Sequence, residues 1–295
     1  MNRQSFVTLA VFAAMIVAAL FVALPALADG VPYKLPVKRT DTVSAIALGE
    51  FFAGKDYTLD RARKFGSVPR IFVRHLPVGI DTLPVADKES VFIRLVLPLV
   101  AKGNQLILQQ RERLIGIKRQ IAKGWLIGQN DRYWLGHMAR VYNTRADDLD
   151  MLLRRADVVP ASLAVAQAIT ESGWGNAVSA RRNNGLFGTH APNVITASAA
   201  DVTAFPSLMR GVLAYMYNLN AAPAYEDMRR IRAEQRADGV APSGVAMAAG
   251  FAKHPSGGAE YVTTLHDVMR ARSLAALDST VLAPEGDTLL VAVTR

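Results

Sequence analysis

The stretch from Gln167 to Gly175 (Gln-Ala-Ile-Thr-Glu-Ser-Gly-Trp-Gly) holds a carboxyl group at Glu171 and an indole at Trp174. Helical spacing puts Leu163, Gln167, Glu171 and Trp174 on neighbouring points of one helix face. A carboxyl beside an indole is partly desolvated, which disfavours its charged form and raises its pKa. Such a group can hold a proton near neutral pH and pass it to a glycosidic oxygen as a general acid. A surface glutamate near a core tryptophan has the same spacing, so these residues alone leave both readings open.

Other chemistries find little support. The chain has no Cys, which excludes disulfides, thiolate metal sites, a cysteine nucleophile and a lipidated cysteine anchor. The five His (75, 137, 190, 254 and 266) stand at no metal-ligand spacing, and neither a Gly-x-Ser-x-Gly elbow nor a phosphate loop occurs. No metal and no cofactor is implied. The excess of 34 Lys and Arg over 25 Asp and Glu, +9 in all, favours an anionic partner such as a membrane face or an acidic wall polymer. Nucleic acid is not expected, since no motif that reads DNA or RNA is present.

The elements that would position Glu171 read as helices. Pro160 suits the first turn of a helix over 160–172, which Gly173 and Gly175 stop. Helical periodicity also runs through 132–145, 147–156, 207–220, 224–237, 243–252 and 259–277. The stretch 88–128 reads as a packed bundle helix with a solvated basic face, kinked or split at Pro98 and Gly103. Five prolines punctuate 29–87, which reads as irregular structure with a short strand at Arg70–Arg74. The fold class is mainly α. At 295 residues and 51% hydrophobic, the chain can bury a sizeable core.

The N-terminus reads as an export segment. Arg3 precedes an apolar run over residues 6–24, and Ala26 and Ala28 fit a signal-peptidase site before Asp29. The run also just reaches the span of a bilayer, so an uncleaved membrane anchor stays open beside a cleaved signal. Either way the body is expected to be periplasmic or exported.

The run from Val159 to Gly175, followed by Asn183-Asn184-Gly185-Leu186-Phe187-Gly188, resembles the glucosaminidase family of peptidoglycan hydrolases, and in particular its exported, Bax-like branch. In that family a helix ends in Ala-x-x-Glu-Ser-x-Trp-Gly, and an Asn-Asn-Leu-Phe-Gly turn follows about ten residues later. The resemblance covers roughly residues 148–272. It implies a lysozyme-like helical lobe with a small variable hairpin or loop region, and Glu171 as the catalytic acid. Trp174, Asn184, Phe187 and Tyr261 would bind substrate, although a turn held by Asn184 over a buried Phe187 fits the same residues. Phe205 to Leu208 and Tyr215 look like the segment that packs beneath the cleft, and Phe251 and Tyr261 match two aromatic positions of the last motif. Two departures stand out: Gly185 is inserted into the turn, and Asp201 is the sole carboxylate between Phe187 and Phe205. Asp201 is therefore the local candidate for a second catalytic group, with a turn or cap Asp as its bland alternative. Without a second carboxylate, water could be activated otherwise, or the substrate N-acetyl group could act as nucleophile.

The resulting organisation is a signal or anchor at 1–28, an irregular region at 29–87, a helical region at 88–147, a catalytic domain at 148–278 and a tail at 279–295. The expected activity is cleavage of peptidoglycan glycan strands at N-acetylglucosamine. The alternatives are a lytic transglycosylase and a non-catalytic wall-binding scaffold.

Overall fold

The structure is a computed structural model that describes residues 38–42, 44–188, 204–253, 258–284 and 287–293. It is mainly helical. Its axis is α3 (Val85–Ala122), a single uninterrupted helix of 38 residues whose middle is buried from Val91 to Asn104 apart from half-buried Arg94. Among the described residues it is the one helix long and apolar enough to cross a membrane, and 78% of that apolar window lies inside the protein. It is the core helix.

The expected break at Pro98 and Gly103 does not occur. Proline removes the N–H that would bond the carbonyl four residues back, here that of Arg94. The Tyr57 hydroxyl donates to that carbonyl at 3.1 Å, and the Arg94 guanidinium donates back to the Tyr57 carbonyl at 3.1 Å. Gly103 sits where α8 (Leu208–Ala221) crosses, and a Cβ there would overlap the Met216 sulfur. It is a close-approach glycine, not a breaker.

The region expected to be irregular carries α1 (Ala45–Gly54) and α2 (Leu59–Phe65). The Ser44 hydroxyl accepts from Ala47 N and the Thr58 hydroxyl from Arg61 N, both at 3.2 Å, which satisfies N–H groups left open at each helix start. Gly66 ends α2 in the left-handed conformation.

The expected tail is also structured. A parallel sheet has the order β1 (Lys38–Thr42), β5 (Leu289–Val293), β3 (Ile71–Val73), so the C-terminal strand lies between two N-terminal ones. A second parallel pair joins β2 (Ser67–Val68) to β4 (Val281–Leu282).

Helices α5 (Leu149–Arg155) and α6 (Ala161–Ser172) pack on α3 beside α1 and α8. Helices α10 (Gly244–Ala248) and α11 (Gly258–Ala271) pack on α6, and α9 (Glu226–Ala237) packs on α5 and α10. In the chain, α4 (Gln129–Val141) follows α3 and α7 (Val178–Asn183) follows α6. Much of the basic face of the 88–155 region is engaged. Arg113 pairs with Asp131 at 2.7 Å, Lys118 pairs with Asp150, and Arg111 donates to the Ala156 carbonyl at 3.2 Å. Arg232 is fully buried and donates to the Arg154, Asp157 and Val158 carbonyls at 2.8–3.0 Å. It gathers the carbonyls released where α5 ends, just before α6 begins.

Candidate active site

Helix α6 is buried on every side from Ala161 to Ile169, which its small residues permit by letting neighbours approach. Both ends are fixed from afar. At the start, the Asp278 carboxylate accepts from Ser162 N at 2.8 Å and from Gly244 N at 2.9 Å, so one carboxylate serves α6 and α10 together. Asn104 of α3 brackets Val159, accepting from its N–H at 2.9 Å and donating to its carbonyl at 2.8 Å. At the other end three consecutive residues have positive φ, namely Gly173 (56°), Trp174 (61°) and Gly175 (84°). Glycine takes this conformation freely, whereas a bulky side chain there costs on the order of 1–2 kcal/mol. The Ser172 hydroxyl steadies the reversal by accepting from Gly175 N at 2.9 Å and donating to the Ala168 carbonyl at 2.6 Å.

This reversal moves Trp174 off the helical face expected from spacing. Its half-buried indole packs edge-on against Phe92 at 5.8 Å and carries the Arg272 guanidinium over its ring at 5.7 Å. A helical-spacing argument holds only while the backbone stays helical, and it lapses at Gly173.

The group that meets Glu171 is Tyr261, from α11. Its hydroxyl donates to Glu171 Oε1 at 2.8 Å. Behind it, the Gln167 amide donates to the Tyr261 oxygen at 3.0 Å, and the Tyr215 hydroxyl donates to Gln167 Oε1 at 2.6 Å. The polarity of this row has one consistent sense. An ionised carboxylate only accepts, so Tyr261 must donate to it, Gln167 must then present its amide, and its oxygen is left for Tyr215. The Tyr215 ring in turn stacks flat on Phe187, centroids 3.7 Å apart. Solvent reaches Glu171, yet enough protein surrounds its carboxyl for desolvation to raise its pKa. The Tyr261 hydrogen bond pulls the other way and is the smaller effect. Desolvation, with the Glu171 charge second, keeps the Tyr261 phenol protonated and hence a donor.

The second motif reaches the same carboxyl. Asn184 ends α7 with φ 55°, and the loop runs on to Gly188, where a Cβ would lie 3.2 Å from Glu171 Oε2. The two carboxylate oxygens are thus distinguished: Oε1 faces a phenol, Oε2 faces a glycine. Asn184 itself is 1% exposed; its amide donates to the Phe205 carbonyl at 2.6 Å and its oxygen lies 3.1 Å from His75 Nδ1. Phe187 is 7% exposed. Asn184 is held inside the turn and Phe187 under Tyr215, and among the described residues Glu171, Tyr261 and Gly188 lie at the open face of the site.

The comparisons with known proteins address the same segment. The glucosaminidase family, described as mannosyl-glycoprotein endo-beta-N-acetylglucosaminidase, matches residues 146–274. Residues 146–274 form a glucosaminidase-family domain. The chain is also similar to "Protein bax" of Escherichia coli (strain K12), at 32% identity over 196 residues. That alignment covers 62% of this chain and spans 65% of the relative's length. No solved structure matches the chain significantly.

Within the glucosaminidase-family domain lie Glu171, Tyr261, Gln167, Tyr215 and Gly188. Asp278, which caps α6, falls just beyond it. Gln167 shares a helix face with Glu171 four residues on, and that spacing was its signal in the sequence. Tyr215 and Asp278 carried no local signal, because their partners lie 48 and 116 residues away. Asp201 lies outside the described residues, as do the apolar run at 6–24 and the export segment at 1–28. Arg181, beside the turn, pairs with Asp81 at 3.0 Å.

Proposed function

We propose that this chain is an exported peptidoglycan hydrolase that cleaves the glycan strand at N-acetylglucosamine, with Glu171 as general acid. The observation that carries the reading is the environment of the Glu171 carboxyl: raised in pKa by desolvation, held through Oε1 by Tyr261, and opened at Oε2 by Gly188. An oxygen that already accepts from a phenol is poorly placed to carry a proton. Oε2 therefore bears the transferable proton and delivers it to the leaving glycosidic oxygen as the bond breaks. The deprotonated carboxylate is then stabilised by the Tyr261 hydrogen bond, which strengthens as charge develops. Oxocarbenium character at the sugar is met either by a second carboxylate, for which Asp201 is the candidate, or by the substrate's own N-acetyl oxygen. Water then bonds to the anomeric carbon and gives its proton to a carboxylate, which completes the hydrolysis.

The substrate class rests on the glucosaminidase-family match and on the similarity to the bax protein. Export, with the body periplasmic or anchored through residues 6–24, rests on the N-terminal sequence. Mass spectrometry of muropeptides released from wall material tests the reading. New reducing N-acetylglucosamine ends are expected; anhydro-muramic ends would transfer the chain to the lytic transglycosylases, and no new ends would make it a binding scaffold.

A further inference from the structure

The turn joining α3 to α4 is Lys123-Gly-Trp-Leu-Ile-Gly128, an apolar triplet between two glycines at the tip of a helical hairpin. Connecting turns are ordinarily polar, because they face water. Here Trp125 is 61% exposed, Leu126 92% and Ile121 45%. The turn is well built: Gly124 takes φ 74°, its N–H donates to the Ile121 carbonyl at 2.9 Å, and Trp125 N donates to the Gln120 carbonyl at 3.0 Å. These bonds hold the indole and the leucine outward. The last buried side chain of α3 is Ile117, and every residue from Ile121 to Leu126 is exposed, so the tip projects beyond the core.

Its charge has one sign. Residues 115–130 contain Lys118, Arg119 and Lys123 and no Asp or Glu. Lys118 pairs with Asp150 of α5, and Lys123 lies over the Trp125 ring at 4.9 Å. Arg119 and Lys123 have no carboxylate partner among the described residues. An exposed indole and leucine ringed by basic side chains is the pattern that settles at a bilayer interface, the rings at headgroup depth and the cations on anionic lipid.

We propose that the α3–α4 tip docks on an anionic membrane surface, with Trp125 and Leu126 entering the interface and Arg119 and Lys123 meeting lipid phosphates. This is independent of the catalytic reading, since no residue of the tip touches the Glu171 site. It also has a spatial consequence. Trp174, at the Glu171 end of α6, packs on Phe92, and α3 rises about 45 Å from Phe92 to Ala122 at about 1.5 Å per residue. The Glu171 end of α6 therefore lies on the order of 40 Å along α3 from the docking tip.

The chain has no native Cys, so Leu126→Cys carries one environment-sensitive fluorophore at a unique position. Ile46→Cys, on exposed α1, serves as the control site. The full chain is mixed with vesicles of phosphatidylglycerol and phosphatidylethanolamine, with phosphatidylcholine vesicles, or with isolated wall sacculi. The expected result is a blue-shifted, brighter signal at position 126 with the anionic vesicles alone. Position 46 stays unchanged. Arg119→Glu with Lys123→Glu abolishes the shift, and so does raising salt from about 0.1 M to about 1 M, which shortens the screening length from about 10 Å to about 3 Å. Because the probe reads the tip, entry of residues 6–24 into the bilayer does not by itself produce this pattern. An unchanged signal at 126 on vesicles that bind the chain overturns the proposal. So does an equal shift on phosphatidylcholine, or a shift on sacculi and none on vesicles.

Discussion

The amide of Gln167 donates to the Tyr261 hydroxyl at 3.0 Å, and this bond decides which way Tyr261 points its own proton. With its oxygen already accepting from Gln167, the phenol is left to donate to Glu171. The acid thus sits at the end of an ordered row that begins at buried Tyr215.

Tyr261→Phe removes the hydrogen bond that, among the described residues, lowers the Glu171 pKa and leaves the desolvation that raises it. A general acid must be protonated in the free enzyme, so kcat/KM falls as pH rises through its pKa. The alkaline limb of the pH profile should therefore move to higher pH in the variant. Gln167→Leu should move it the same way by a smaller step, since Tyr261 then loses its orientation but keeps its hydroxyl. A limb that stays put, or moves to lower pH, would count against the role given to Tyr261.

Gly188→Ala tests the other carboxylate oxygen. Gly188 has φ 62°, and the added methyl would stand 3.2 Å from Oε2. Strain in the left-handed region costs about 1 kcal/mol, seen as a lower Tm. The larger effect should be on turnover, about tenfold or more, because the methyl occupies the approach to the proton. Wild-type turnover with only the Tm lowered would show that Oε2 is not the delivering oxygen.

Helix α6 was legible in the sequence because Pro160 and Gly173 bracket a run of good helix formers. The meeting of the two motifs was legible only through resemblance, since nothing local ties Gly188 to Glu171. Spacing misplaced Trp174 because it assumed helical dihedrals past Gly173. Helices α1 and α2 are masked in the sequence by the surrounding prolines, which signal irregular structure, although Ser44, Thr58 and Gly66 are ordinary caps. The strand β5 could not be foreseen, as its pairing with β1 and β3 spans the whole chain.

The continuity of α3 rests on Tyr57 satisfying the carbonyl that Pro98 leaves open. Tyr57→Phe should cost about 1–3 kcal/mol, the usual penalty for a buried polar group left unsatisfied. Pro98→Ala supplies an N–H for the same carbonyl. In that background Tyr57→Phe should cost markedly less, a coupling that a double-mutant cycle in denaturant would measure. Additive costs would mean that the hydroxyl and the missing N–H are unrelated.

Folding raises the Glu171 pKa, so the folded state holds more protons than the unfolded chain between the ordinary and the raised value. Stability then falls as pH rises through that window and stays lower above it. Glu171→Gln cannot ionise. Its Tm at pH 7 should equal or exceed that of the wild type, with the difference shrinking once the medium is acid enough to protonate the free carboxyl. A Tm at pH 7 well below wild type would indicate that the carboxylate stabilises the fold rather than being held there against it.

The measurement that bears most directly on the account is the rate of peptidoglycan lysis by Glu171→Gln beside the wild type, with folding checked in the same samples. The amide keeps the shape and can still accept from Tyr261, but it has no transferable proton. General acid catalysis contributes about 10²–10⁴-fold, so the variant should lose at least about a hundredfold in rate while remaining folded. A folded variant that lyses wall material within about threefold of the wild type would contradict the assignment of Glu171 as the acid.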